Sequence, residues 1–325
     1  MPHNPVAPEF RAALKALPSF DGLSDATLEE TRKAFISAIR SVRVARHPDV
    51  LVGECHVPGP AGAPDVPVVT YRPVASSPNA PALVYIHSGG IVSGTPEVDD
   101  ARCRQMVSEL GLVIFSVDYR LAPEAPCPAA IEDCYAVLKW AHDHAPDLKI
   151  DRNRLIIGGD SAGGGLTACL ALLARDRAEI KVLFQLLIYP MLDDRTGTTL
   201  MPSPALGEYI WTRSANHYAW NAYLGKTPGS PGISEYAAAF RATDLTGLPP
   251  AYIGVGSLDL FLDEDLEYAR RLMAAGVPTE VCVIPGAYHV FDVFIPDAPL
   301  SRQFRASYFT ALKRSISQDF SENPT

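Results

Sequence analysis

One serine stands among five glycines in LIIGGDSAGGGL, residues 155–166. Glycine-rich backbone around a single hydroxyl suits a nucleotide-phosphate loop, a tight structural turn, or a mounting for a nucleophile. Gly159 and Gly164 have the spacing of a Walker loop, but Gly165 stands where its lysine must be. A dinucleotide fingerprint drawn through Gly163, Gly165 and Ala168 falls past the turn, inside a helix, with no acidic residue where the following strand should end. Gly159-Asp160-Ser161-Ala162-Gly163 does match G-x-S-x-G, placed between an apolar run and a helical one. In that setting the serine occupies a sharp strand-to-helix corner. Its neighbours must be small, and the helix start offers N–H groups and a positive dipole end to a developing oxyanion.

A hydroxyl becomes a nucleophile only beside a base, and the base needs a carboxylate to orient it. On this type of scaffold the chain order is serine, acid, histidine. Downstream of Ser161 stand only His217, in an aromatic-rich stretch, and His289, in VIPGAYHVF after the last apolar run. His289 sits where catalytic groups collect in open α/β sheets. The preceding strand ends in SLDLFLDEDLEYARRL; Asp259 comes first after it, whereas Asp263, Glu264 and Asp265 read as the acidic first turn of a helix, with Asp263 the alternative acid. YIHSGGIVSG follows another apolar run and supplies Gly89 and Gly90 as backbone donors, with the N–H of Ala162 as a third. His142 and His144, two apart on a helix, point to different faces, so no metal site is expected there.

These groups need elements to hold them. Residues 1–40 read as helical, with apolar residues three and four apart in EFRAALKALPSF and TLEETRKAFISAIR. SVRVARHPDVLVGECHVPG and DVPVVTYRP alternate like antiparallel strands. From residue 82, ALVYIH, GLVIFSVDY, RLIIGGD, VLFQLLIYP, AYIGVGSLD and TEVCVIPG alternate with helical segments, the pattern of a mostly parallel sheet buried on both faces. Residues 191–248 break the alternation with EYIWTRSANHYAWNAYLGK, read as a helical insertion. Ile210, Trp211, Tyr218, Trp220 and Tyr223 in it are too many large apolar groups for a solvated loop, which suggests a lid.

The 325 residues carry 28 basic and 37 acidic groups, a net charge of −9, which disfavours nucleic acid and anionic membrane surfaces. The uncharged runs near 162–174 and 182–192 fall short of the roughly 18 residues that span a bilayer. MPHNPVAPEFRAALKALPSF lacks a basic stretch leading into an apolar one, so no signal peptide is expected. Six scattered cysteines without a CxxC suggest reduced thiols and a cytoplasmic protein.

The motifs together resemble the hormone-sensitive lipase family of α/β-hydrolases over roughly residues 60–315. HSGG at 87–90 resembles the family's HGGG. DYRLAPE at 118–124, GDSAGG at 159–164, YPMLD at 189–193, SLDLFLDE at 257–264 and GAYHVF at 286–291 follow in its order. The resemblance implies an α/β-hydrolase fold: an eight-stranded, mostly parallel sheet flanked by helices, under a helical cap. Residues 1–45 and 195–240 would form the cap, the latter inserted after the sixth strand, and 46–194 and 241–325 the core. Carried over by position, Ser161 is the nucleophile, Asp259 the acid and His289 the base, with Gly89, Gly90 and Ala162 as oxyanion donors. His87, Asp118, Arg120, Glu124 and Asp160 would support them, with Asp118, Arg120 and Glu124 bracing the oxyanion loop. Ile91, Tyr189, Ile210, Trp211, Tyr218 and Phe294 would line the substrate pocket. The chain departs from the pattern at Ser88 and Val290, each in place of a glycine, and at Ile91, where an aromatic is common.

The expectation is a serine carboxylesterase for short- to medium-chain acyl esters, working through an acyl-enzyme without metal or organic cofactor. Its partner would be a small-molecule ester, and the resemblance suggests a homodimer. One alternative is the same triad cleaving an amide, carbamate or lactone, which share the oxyanion chemistry. Another is a binding protein on this scaffold, as in plant hormone receptors that lost the histidine, a residue retained here as His289.

Overall fold

The structure is a computed structural model that describes residues 5–15, 17, 19–42, 47–75 and 77–317. Eight strands form one sheet: β1 (Val50–Val57), β2 (Val66–Pro73), β3 (Ala80–Ile86), β4 (Val113–Val117), β5 (Ile150–Asp160), β6 (Phe184–Ile188), β7 (Ala251–Gly256) and β8 (Thr279–Ile284). Their order is β1-β2-β4-β3-β5-β6-β7-β8. β2 pairs antiparallel with β1 and β4, and every pair from β4 through β3 to β8 is parallel. The apolar runs are therefore parallel strands; β3, β4, β6 and β7 are buried along their whole length. β1 and β8 form the edges and are largely uncovered, which explains their mixed polar and apolar sequences.

The crossover helices are α3 (Asp100–Leu110), α4 (Ala129–Asp143), α5 (Ala162–Arg177) and α7 (Leu262–Ala274), and after β8 the short α8 (Phe291–Phe294) leads into α9 (Pro299–Ser317). Residues 162–174 of α5 are all buried, so this helix has no polar face, and its glycines allow that depth. α4 packs against α5. α3 meets α9 where the Arg102 guanidinium lies over the Tyr308 ring at 5.8 Å.

Over the carboxyl ends of the strands lie α1 (Pro8–Arg11), α2 (Leu28–Ser41) and α6 (Arg213–Leu224). The N-terminal pieces and the insertion touch each other. Phe20 packs edge-on against Trp211 at 5.3 Å and Phe35 at 5.4 Å, and Tyr218 Oη donates to Asp25 at 2.8 Å. Two local expectations are corrected. EFRAALKALPSF is not one helix: α1 stops at Arg11, a 3-10 turn covers Ala13–Lys15, and the sequence places a helix-breaking proline at 18. EYIWTRSANHYAWNAYLGK is helical only from Arg213, because Ile210 adopts φ +61° and Thr212 caps the helix by accepting from the Ala215 N–H. The expected boundary at 45–46 lies outside the described residues.

Candidate active site

Three side chains from three strand ends meet over the sheet. Ser161 follows β5, Asp259 follows β7 and His289 follows β8. Ser161 sits at φ 53°, ψ −120°, a strained corner held by its own backbone: its N–H donates to Ile188 O, and its carbonyl accepts from Gly165 and Met191, each at 2.9 Å. A Cβ on Gly159 would lie 2.4 Å from Ile86 O, and one on Gly163 2.0 Å from the same atom. Both motif glycines are therefore set by the close approach of β3.

His289 Nε2 lies 2.8 Å from Ser161 Oγ, and its Nδ1 lies 2.7 Å from Asp259 Oδ2. The other carboxylate oxygen of Asp259 accepts from the Phe261 N–H at 3.1 Å. With Nδ1–H donating to the carboxylate, Nε2 is left as the acceptor for the serine proton. The imidazole is boxed by the rings of Tyr189 at 5.1 Å, Phe261 at 5.2 Å and Trp211 at 6.4 Å, which fixes its plane. Ser161 and His289 are only 2% and 3% exposed, so bulk water is largely excluded. His217 and Asp263, the alternatives from sequence, are exposed on α6 and in the first turn of α7.

Gly89, Gly90 and the first residue of α5, Ala162, are buried beside this hydroxyl. Among the described residues, none of their N–H groups donates to a protein acceptor. The loop they belong to is tightly built. Gly89 O accepts from Val92, from the Ser93 amide and from Ser93 Oγ, and a Cβ on Gly90 would fall 2.2 Å from Trp211 Cη2. Uncommitted amides in a buried site favour negative charge.

The expected support for this loop is corrected in part. Arg120 does not reach it; its guanidinium pairs with Asp133 on α4 at 2.7 Å. Asp118 is half-buried, with its carboxyl held above the ordinary range by burial, and its backbone N–H donates to Pro67 O. Tyr119 carries the bracing instead: its hydroxyl donates to His87 O at 2.9 Å and its ring stacks on His87 at 4.2 Å. Glu124 acts through Arg32 of α2, which grips it at 2.7 and 2.8 Å while donating to Val92 O and Ala122 O. The Arg32 guanidinium holds the Glu124 carboxyl down at about 2. Arg32, Tyr119 and Phe261 were missed in the sequence. Asp160 is buried beneath Ser161 and accepts from Tyr85 Oη at 3.3 Å.

Of the expected pocket residues, Ile91, Ile210 and Trp211 are buried, and Trp211 stands beside both Gly90 and His289. Tyr189 is corrected from pocket wall to support: it is fully buried, and its hydroxyl donates to Asp292 at 2.9 Å. Phe294 lies instead on a surface cavity of about 390 Å³ with Leu17 and Ala38, and Tyr218 is half-buried with its hydroxyl on Asp25. Among the described residues no group of three or more His, Cys, Asp or Glu is arranged to hold a metal ion, and no helix is long and apolar enough to cross a membrane.

His87 gives the site a measurable acid response. It is fully buried, and desolvation drives its imidazole down to about 4 against an ordinary 6.5, although Nδ1 faces Ser88 O at 2.7 Å. The unfolded chain therefore takes up this proton first. Stability falls as pH drops from 6.5 toward 4 and levels off below, a loss of roughly 3 kcal/mol from this residue. His87→Phe preserves the stack on Tyr119 and lacks the titration. Urea unfolding of both proteins across this window should show the wild type losing stability relative to the variant; parallel curves would contradict it.

The family model for the alpha/beta hydrolase fold matches residues 83–293. Esterase LipI of Mycobacterium tuberculosis is 37% identical over 241 residues, covering 72% of this chain and 73% of that protein. The arylesterase of Saccharolobus solfataricus is 32% identical over 70% of this chain and 73% of its own length. Among solved structures, a bacterial heroin esterase superposes with a TM-score of 0.89 at 38% identity, covering 96% of this chain and 98% of that one. With a parallel sheet, a serine at the β5–α5 corner and a histidine after the last strand, the chain belongs to the hormone-sensitive-lipase-like family of α/β-hydrolases.

Proposed function

We propose that this protein is a carboxylesterase for short- to medium-chain acyl esters, working through a Ser161–His289–Asp259 triad and an acyl-enzyme. The observation that carries the reading is the unbroken hydrogen-bonded line from Ser161 Oγ through His289 to Asp259, with three uncommitted amides at one end. His289 Nε2 takes the serine proton as Oγ attacks the ester carbonyl, and Asp259 stabilises the imidazolium. The carbonyl oxygen, now an oxyanion, turns to the N–H groups of Gly89, Gly90 and Ala162. Collapse expels the alcohol with the proton from His289, and water repeats the sequence to free the acid.

The size of the substrate follows from what stands over the serine. Trp211 packs on Gly90 and Phe20, Phe20 on Phe35, and Ile91 and Ile210 are buried nearby. Each methylene that fits gains about 0.8 kcal/mol until the chain meets these rings, where the gain becomes a clash. Initial rates on a p-nitrophenyl ester series should give a kcat/KM maximum at about C2 to C8 and steep loss beyond. A preference for C16 esters or emulsified triglyceride would contradict it. Removing residues 1–40 takes away buried Phe10, Phe20, Leu28 and Phe35 and should impair activity while exposing apolar surface.

A further inference from the structure

Behind the layer that carries Ser161 lies a second polar centre that ester chemistry does not use. Arg102 of α3, 7% exposed, donates to Tyr85 Oη at 3.2 Å, Tyr189 Oη at 3.1 Å and Asp292 at 3.3 Å, and stands 3.6 Å from Asp99. Around this one cation are three buried carboxyls, those of Asp99, Asp160 and Asp292. Asp292 is satisfied on both oxygens, by Tyr189 and by Arg102. Asp160 uses one oxygen, toward Tyr85, and its other has no hydrogen-bond donor. Asp99 is 1% exposed and receives no hydrogen bond on either oxygen.

Burial pushes the Asp99 carboxyl well up, with the Asp160 charge adding to the effect, and burial likewise raises Asp160. Such a pair holds one proton between its two carboxyls. The shared proton satisfies one oxygen of each. One acceptor then remains, on Asp99, and it costs free energy as long as it stays unmet. The other titratable groups facing Asp99 are Arg102 and Cys103 on α3, Tyr85 on β3, Tyr119 after β4 and Asp292 on α8. Burial keeps the thiol and both phenols neutral.

Asp99 also lies at the wall of a cavity of about 480 Å³, together with Arg102, Asp292 and Tyr308. The remaining sides include apolar Ile39 and Val293. Of the charged groups on the rim, Glu97 is held by Arg40 at 2.7 Å, Asp100 is held by Arg104 at 2.8 Å, and Arg305 donates to Pro296 O at 2.7 Å, while His47 and Asp297 also line it. An occupant must therefore bring an apolar body and a donor for Asp99. Since the buried acids outnumber the buried base, that donor should carry positive charge. We propose that this cavity is a binding site for an organic amine, whose ammonium group pairs with Asp99 while its apolar body lies between Ile39 and Val293.

In this arrangement the ammonium replaces the shared proton, so one proton leaves for each amine bound and affinity rises with pH, by up to about tenfold per unit while the pair remains protonated. The site is separated from the ester site by Tyr189, whose ring abuts His289 and whose hydroxyl sits on Arg102 and Asp292. Calorimetric titration of the whole protein with phenethylammonium tests this without using ester turnover, so its outcome is independent of the esterase reading. The uncharged 2-phenylethanol, matched in shape, is the control. The amine should bind at least about tenfold more tightly than the alcohol, with one proton released as judged in two buffers of different ionisation enthalpy. Asp99→Asn should weaken the amine by about tenfold or more, and Ala101→Phe, which fills the half-buried wall of the cavity, should abolish binding. Should Asp99→Asn fail to fold, Ala101→Phe decides. Absent binding, equal binding of the alcohol, no proton release, or an affinity left unchanged by the variants would overturn the proposal.

Discussion

Ser161→Ala should lower kcat/KM on an activated short-chain ester by about five to six orders of magnitude while leaving the thermal unfolding midpoint nearly unchanged. The side chain's one hydrogen bond is to His289 Nε2, so its removal breaks no structural contact. The strained φ of 53° is fixed by backbone bonds to Ile188, Gly165 and Met191, which alanine retains. His289→Ala should cost about as much, and the double variant little more than either single one, because nucleophile and base act as one unit. What survives in all three would be the turnover that the Gly89, Gly90 and Ala162 amides support alone. Additive losses in the double variant, or substantial turnover in Ser161→Ala, would mean that another group attacks the ester.

Asp259→Asn should cost about four orders of magnitude in kcat, through the tautomer of His289 as much as through lost charge. The Phe261 N–H binds one oxygen of the carboxylate and His289 Nδ1 faces the other. In the asparagine variant the Phe261 amide keeps the remaining oxygen, so the new NH2 points at Nδ1. That nitrogen must then accept, which puts the ring proton on Nε2, where it cannot take a proton from Ser161. Asp263→Asn, exposed in the first turn of α7, should leave kcat within a few-fold and act only on local helix stability. Stopped-assay kcat values on both variants decide between the two carboxylates; a larger loss at Asp263 would reverse the assignment.

The parallel sheet was legible because strands buried on both faces must be written as solid apolar runs, and the glycines at 159 and 163 because nothing larger fits against Ile86. The position of Ser161 was readable for the same reason: a corner this strained leaves a local signature in small residues. His289 and Asp259 were found by their places after strands, a consequence of topology. Support across long sequence separations was not readable. Arg32 reaches Glu124 from 92 residues away, and nothing near DYRLAPE announces a partner on α2. Arg120 took its bracing role from the resemblance of DYRLAPE, and a matching motif says nothing of the side to which a side chain turns; it turns to Asp133. The lid residues were only partly separable. Trp211 and Tyr218 share one aromatic stretch, yet one packs on Gly90 and the other on Asp25. Burial set by a second, distant segment leaves no period in the first. The centre around Arg102 was legible only in Asp160 and Tyr189, because Asp99, Asp160 and Asp292 belong to three different elements and nothing near any one of them announces the others.

The central claim is that Ser161 is the group that attacks the carbonyl. Reaction of the intact protein with a short-chain p-nitrophenyl phosphonate, followed by mass measurement and peptide mapping, tests it directly. The expected result is one phosphonyl group per chain, located on Ser161, with ester hydrolysis lost in proportion to labelling and no labelling in Ser161→Ala. An adduct on a different residue, or hydrolysis that persists in fully labelled protein, would contradict the account.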